Sequence, residues 1–271
     1  MSIWKLTIEY DGSRYSGWQE QKNARTVQGE VRAAIESVLG FDVEMQGSGR
    51  TDAGVHALGQ VAHMRAPGRP AVDERRLLRE VNERLPADIA ILSIEPAQPG
   101  FHARHGAVGR AYLYRITTRK NAFAKRHVWW VKQRLDTAAM AQAARTLVGR
   151  HDFRNFRAED PGRPDESTIV VVENAEIETV GDEIRFRIEA SHFLWKMVRR
   201  VVGVLVRLGA GELSLDEFRR LLDEPARTSF PVAEWTAPAS GLFLECVRYG
   251  ETTKQPRRLT PHTAFGSRPR R

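Results

Sequence analysis

Phe41-Asp42-Val43-Glu44-Met45-Gln46-Gly47-Ser48-Gly49-Arg50-Thr51-Asp52-Ala53-Gly54-Val55-His56-Ala57 is the stretch on which the reading of the fold turns. Its first six residues alternate apolar and polar, the period of a half-buried strand, and residues 58 to 65 read as a second strand beyond it. Two consecutive strands in mid-unit distinguish a split β-α-β arrangement from simple alternation. Upstream, Val27, Val31, Ala34, Ile35 and Val38 recur at helical spacing, with Thr26 as cap and Gly40 just past the end. Before them Trp4, Leu6, Ile8 and Tyr10 alternate with Lys5, Thr7 and Glu9 up to a turn at Asp11-Gly12. Downstream, Leu77, Leu78, Val81 and Leu85 mark a helix that stops at Pro86, and residues 89 to 94 form an apolar strand. The order is β-α-β-β-α-β, a ferredoxin-like unit.

Periodicity alone repeats that order in the second half, without detectable sequence similarity. A strand at 108 to 118 leads to an Ala-rich helix at 136 to 148, capped by Asp136 and ended by Gly149. Strands around 168 to 180 and 183 to 190 follow, joined at Gly181-Asp182, a short-hairpin signal. A helix from near Phe193 to Leu208, a shorter one with a Ser214 to Glu217 capping box, and a strand at 242 to 249 complete the unit. The expected fold class is α+β: two ferredoxin-like halves, 1–105 and 106–250, with a central, mainly antiparallel sheet and an active-site cleft between the halves. A basic arm at 251–271 holds Lys254, Arg257, Arg258, Arg268, Arg270 and Arg271 among prolines and reads as a solvated tail.

A two-residue turn links the central strands of the second half, whereas the run from Gly47 to Ala57 does so in the first. The fold is not expected to need the longer link, and loops longer than needed are where function gathers. This one concentrates glycines, a cation, a carboxylate and an imidazole. Glycine permits positive φ and close approach to a ligand, and Arg50, two residues before Asp52, can offset the carboxylate's charge. The plain alternative is a glycine-rich turn in which Thr51 or Asp52 caps a short helix. Gly49 to Gly54 has phosphate-loop spacing, but Val55-His56 stands where Lys and Ser or Thr are required, so a nucleotide-triphosphate site is rejected. Asp52, His56 and His63 lack metal-ligand spacing, and no metal is expected. With one cysteine, Cys246, the chain cannot supply the paired cysteines of a zinc deaminase or an internal disulfide. Asp52 has no acidic neighbour to make a glycosidase pair, which suits a nucleophile better than a general acid.

The 271 residues, 41% hydrophobic, suffice for one large or two modest domains. A net charge of +8 and a pI near 10 favour a polyanionic partner such as nucleic acid. The N-terminus has no basic region followed by an apolar run, and the most apolar helix is flanked by Arg199, Arg200 and Arg207, so neither a signal peptide nor a membrane span is read and a reducing, cytoplasmic setting is expected. Basic and aromatic residues interleave twice. Phe101-His102-Ala103-Arg104-His105 precedes Arg110, Tyr112, Tyr114 and Arg115, with Arg119, Lys120, Lys125, Arg126 and His127 following. Trp195-Lys196-Met197-Val198-Arg199-Arg200 opens the apolar helix. Such mixtures grip phosphates and stack bases, although alternating tyrosines also mark an ordinary sheet face. Arg199 and Arg200 point in different directions on a helix, and one of them facing a cleft beside a carboxylate would relieve the burial of its charge.

Several ordered motifs resemble those of the TruA-type tRNA pseudouridine synthases. They are Tyr10-Asp11-Gly12-Ser13 with Gly17-Trp18-Gln19, Thr26-Val27-Gln28, Gly49-Arg50-Thr51-Asp52-Ala53-Gly54-Val55-His56, Phe101-His102-Ala103-Arg104, Tyr112-Leu113-Tyr114, Asp152-Phe153, and Phe193 through Met197-Val198-Arg199 to Val202-Gly203. The resemblance implies isomerisation of uridine to pseudouridine in the tRNA anticodon arm, conventionally at tRNA positions 38 to 40, by a cofactor-free homodimer. It matches Asp52 to the catalytic aspartate, Arg50 to its neighbouring arginine, Tyr112 to the tyrosine that stacks on the target uracil, and Arg199 to the basic partner of the aspartate. Arg104, Arg110 and Lys196 are the further candidate substrate contacts. The carboxylate could attack C1′, add to C6 or take the C2′ proton, and the residues do not choose among these routes. A non-catalytic RNA-binding or RNA-folding protein of the same fold, or a synthase with other target uridines, is the alternative.

Overall fold

The computed structural model describes residues 2–67, 73–160, 162, 165–224 and 230–250, so the basic arm from Glu251 lies outside the described residues. The chain divides into two units, the first made of residues 1–108 joined by the strand that begins near Phe243.

In the first unit the expected order forms: β1 (Ser2–Tyr10), α1 (Val27–Leu39), β2 (Glu44–Gly47), β3 (His56–Ala66), α2 (Glu74–Arg84) and β4 (Ile89–Pro96). The Thr26 side chain accepts from the Gly29 amide and Gly40 closes α1 in the left-handed region, as the sequence requires. Trp4, Leu6 and Ile8 alternate inward from β1 and are buried with Val27, Val31, Ile35, Leu77 and Val81. β1 is central, antiparallel to β3 from Ser2↔Ala66 to Tyr10↔Ala57 and to β4 from Trp4↔Pro96 to Tyr10↔Ile89.

The second unit contains β5 (Ala107–Thr117), β6 (Trp129–Trp130), α3 (Thr137–Thr146), β7 (Gly149–Asp152), β8 (Ile169–Val180), β9 (Glu183–Ala190), α4 (Met197–Gly209) and α5 (Leu215–Asp223). β9 pairs antiparallel with β5 and, across Gly181-Asp182, with β8, which carries β7 on its other edge. Arg115 holds Glu183 with two bonds of 2.7 and 2.8 Å and Arg185 adds a third at 2.9 Å. Burial alone would raise the Glu183 carboxyl, but these two guanidinium groups keep it below the usual range. The short strands β6 and β7 are not visible as periodicity, because two and four residues are too few to show a period.

α4 begins at Met197 rather than near Phe193. The backbone before it is spent elsewhere: Ser191 N–H bonds to Val171 O, and Trp195 O accepts from Ala158 N–H. Lys196, at φ 60°, is the sole non-glycine with positive φ among the described residues and turns the chain into the helix. Arg199 and Arg200 then take different partners, the carbonyls of Ala237 and Arg157.

The final strand, β10 (Leu242–Tyr249), pairs in parallel with β3 through Phe243↔His56 and Leu244↔Ala57. β2 occupies the same edge of β3 further along, from Glu44↔Arg65 to Gly47↔Ala62. This corrects the expectation that the fold does not need a long link after Gly47. β2 must leave the edge because β10 takes the next stretch of it, so part of the link's length has an architectural cause. No helix among the described residues is long and apolar enough to cross a membrane.

Candidate active site

The link between β2 and β3 runs over residues 48–55 and is fastened at several points. Ser48 N–H donates to Val61 O at 2.7 Å, the Ser48 hydroxyl donates to Gln60 Oε1 at 2.9 Å, and Gln60 Nε2 donates to Gly49 O at 3.0 Å. Thr51 is held twice, its carbonyl accepting from Trp18 N–H at 3.1 Å and its hydroxyl bonded to that of Tyr10 at 2.8 Å. Val55 N–H returns to Asp52 O at 3.1 Å, closing a turn around the half-buried Asp52. Of the loop's glycines, only Gly54 takes a positive φ, 78°.

The 11–18 segment forms a second wall of the loop. Gly17 lies at φ 94°, and a Cβ there would stand 2.6 Å from Thr51 O. A Cβ on Gly12 would stand 1.9 Å from Val55 O. His56 is buried, stacked on Phe243 at 4.6 Å, with its Nδ1 3.1 Å from both Gly12 N and Asp11 Oδ1. One nitrogen does not serve both: neutral, it accepts from the Gly12 amide, and protonated, it donates to the Asp11 carboxylate. In either state the imidazole ties the loop's exit to the turn after β1. Tyr10, Trp18 and Gly12 fasten the loop as well, and the motifs Tyr10-Asp11-Gly12-Ser13 and Gly17-Trp18-Gln19 are the signals that point to them.

Arg50, two residues before Asp52, is exposed. Arg104, also in the first unit, follows His102, whose Nδ1 accepts the amides of Arg104 and His105 at 3.2 Å each.

The other expected site residues lie in the second unit. Arg110 and Tyr112 share one face of β5. Arg110 donates to Ser191 O at 3.1 Å, and Tyr112 meets Phe193 edge-on at 4.9 Å, so the segment before α4 supports both. Lys196 reaches back over the Trp195 ring at 4.9 Å. Arg199 Nε donates to Ala237 O at 2.7 Å, beside Pro238 O, which accepts from the buried Tyr114 hydroxyl at 2.7 Å. Burial holds that hydroxyl well above its ordinary range, with the Arg199 charge opposing the shift.

Sequence reasoning overlooked a column of imidazoles in the first unit. His63, His102 and His105 lie with ring centroids 4.6 and 4.2 Å apart, and buried His63 accepts the Ala103 amide at 3.2 Å. Burial first, then the charges of His102 and Arg65, push His63 down to about 4; burial and His105 lower His102 as well. Below the ordinary histidine value of about 6.5 the unfolded chain therefore binds protons that the folded chain does not, and stability falls as pH drops from there towards about 4. Urea denaturation at pH 7.5 and pH 5 should show a loss of roughly 2 kcal/mol at the lower pH from His63. His63→Gln should show a correspondingly smaller loss. An identical pH response in both proteins would remove His63 from this role.

A family model described as tRNA pseudouridine synthase matches residues 6–105 and 143–250. A protein of Paramagnetospirillum magneticum named tRNA pseudouridine synthase A is 40% identical over 251 residues, covering 92% of this chain and 96% of that protein. One of the same name from Xanthobacter autotrophicus is 42% identical over 252 residues, covering 92% of this chain and all of the relative. A tRNA pseudouridine synthase A 2 of Clostridium perfringens is 36% identical, over 90% of this chain and 98% of its own length.

Proposed function

From the premise that this chain belongs to the tRNA pseudouridine synthase family, we propose that it isomerises uridine to pseudouridine in the anticodon arm of tRNA, at positions 38 to 40, with Asp52 as the catalytic carboxylate. The observation that carries this reading is the construction of the 48–55 loop. Its anchors run through Ser48, Thr51, Val55 and the walls at Gly12 and Gly17, which fixes the backbone on both sides of Asp52. A carboxylate so positioned spends no further ordering entropy when substrate arrives.

The reaction breaks the N1–C1′ bond, turns the uracil and joins C5 to C1′; C5 loses a proton, N1 gains one, and the oxidation state is unchanged. No cofactor is needed. Whether the Asp52 carboxylate attacks C1′, adds to C6 or takes the C2′ proton, it acts through an oxygen electron pair. A base within a stem leaves its stack at a cost of a few kcal/mol, and stacking on Tyr112 offsets part of that. Arg50 and Arg199 balance charge near the reacting groups, and Arg104, Arg110 and Lys196 hold phosphates, so affinity weakens with salt. The working form is a homodimer, and the enzyme acts in the cytoplasm.

Mapping pseudouridine in tRNA from cells with and without this protein tests the assignment. The modification should vanish from the anticodon-arm positions and persist elsewhere. Unchanged modification at positions 38 to 40 would overturn the target assignment.

A further inference from the structure

Residues 118–135 contain Arg119, Lys120, Lys125, Arg126, Lys132 and Arg134 and no acidic residue. They fall between the two stretches that the family model matches. β6 runs through this segment, pairing Ile116↔Trp129 and Thr117↔Trp130 alongside β5, and Val131 N–H bonds to Thr117 O at 2.9 Å. Val128 and Val131 are buried and pin the strand at both ends. The two tryptophans then divide by the alternation of a strand: Trp129 packs edge-on to Tyr114 at 6.3 Å, while Trp130 remains 39% exposed. The ammonium groups of Lys120 and Lys132 each lie 5.6 Å from the Trp130 ring centroid. Arg119, by contrast, is already paired with Asp182 at 2.6 Å.

We propose that Trp130 with Lys120 and Lys132 forms an RNA subsite, in which an unpaired nucleobase stacks on the exposed indole and its flanking phosphates meet the two ammonium groups. The inference rests on the reading that the substrate is RNA. An aromatic face takes any base, and cation–π attraction keeps both lysines at the ring before RNA arrives, so little is lost in ordering them. A second copy of this chain is the poorer occupant. Lysine is depleted from the cores of protein interfaces, and six cations without an acid would set like charges opposite one another in a symmetric pairing. A polyanion with flat bases satisfies both the charge and the ring.

The test measures binding of a fluorescently labelled full-length tRNA transcript to the complete protein over a salt series. Trp130→Ala should weaken binding about 5- to 150-fold, the equivalent of 1 to 3 kcal/mol, and Trp130→Phe should restore most of it. Lys120→Gln with Lys132→Gln, both at exposed positions, should flatten the slope of log affinity against log salt by about 1.4, or 0.7 per phosphate. In the parent protein, ultraviolet crosslinking to tRNA containing 4-thiouridine should give an adduct on the peptide bearing Trp130, a readout independent of any variant's folding. Parental affinity and salt slope in the variants, with no adduct on that peptide, would overturn the subsite. So would a change in oligomeric state from Trp130→Ala without a change in RNA affinity, which would assign the patch to a protein interface. A parent that binds tRNA and forms pseudouridine isolates such a failure to the subsite; a parent that does neither overturns the proposed function and the subsite with it.

Discussion

Asp52→Asn should lower tritium release from tRNA labelled at uracil C5 by roughly a thousandfold or more while leaving tRNA affinity nearly unchanged. The substitution keeps the shape of the side chain but makes it a neutral amide, whose remaining oxygen lacks the negative charge that makes a carboxylate oxygen a nucleophile or base in all three chemical routes. The loop itself should survive, because its fastenings pass through the Ser48 hydroxyl, the Thr51 hydroxyl and carbonyl, and the Asp52 backbone carbonyl. Unaltered tRNA binding with lost tritium release separates chemistry from recognition. Release at the parental rate would sink the assignment of Asp52. A parent that binds tRNA but releases no tritium would favour the idle RNA-binding alternative.

Gly12→Ala attacks the same site from behind. Its Cβ would stand 1.9 Å from Val55 O and 2.7 Å from the Val55 carbonyl carbon, and both are backbone atoms that no rotamer change can withdraw. Either the turn after β1 or the 48–55 loop must move. Overpacking against a mobile side chain typically costs 1 to 3 kcal/mol; against backbone we expect about 3 kcal/mol or more. Any movement also disturbs the Gly12 N–H to His56 contact. The measurements are the urea midpoint and the rate of pseudouridine formation by whatever fraction remains folded, and both should fall sharply. Parental stability and rate together would mean that the two walls are not in the contact described.

Much of this was legible from residue pattern, and the failures have physical causes. α1 announced itself through Thr26, five apolar positions at helical spacing and Gly40, since cap, face and stop all agree. The start of α4 was misread because Phe193 to Trp195 are apolar enough to extend a helical stripe, while tertiary bonds from Ser191 and Trp195 draw that backbone away. The octapeptide from Gly49 to His56 spans the link between β2 and β3, but spacing along that link does not set the direction of the Arg50 and Asp52 side chains. The partners of buried His56, Gly12 and Phe243, are likewise far away in the chain and leave no local signature. The imidazole column at His63, His102 and His105 has no local signature, because it exists only once β3 and the 101–106 turn have come together.

The sharing of one edge of β3 by β2 and β10 bears on how the protein is made. β2 and β3 leave the ribosome early, but the partner of His56 and Ala57 is a strand synthesised after every other described element. At about 5 to 20 residues per second, the edge that limits the loop stays open for many seconds of elongation. During that interval the loop lacks the strand beside its exit and the ring on which His56 stacks. The 48–55 turn is thus among the first parts of the chain to be translated and among the last to acquire its final shape, and a nascent chain stalled before Phe243 carries the motif without the strand that completes its surroundings.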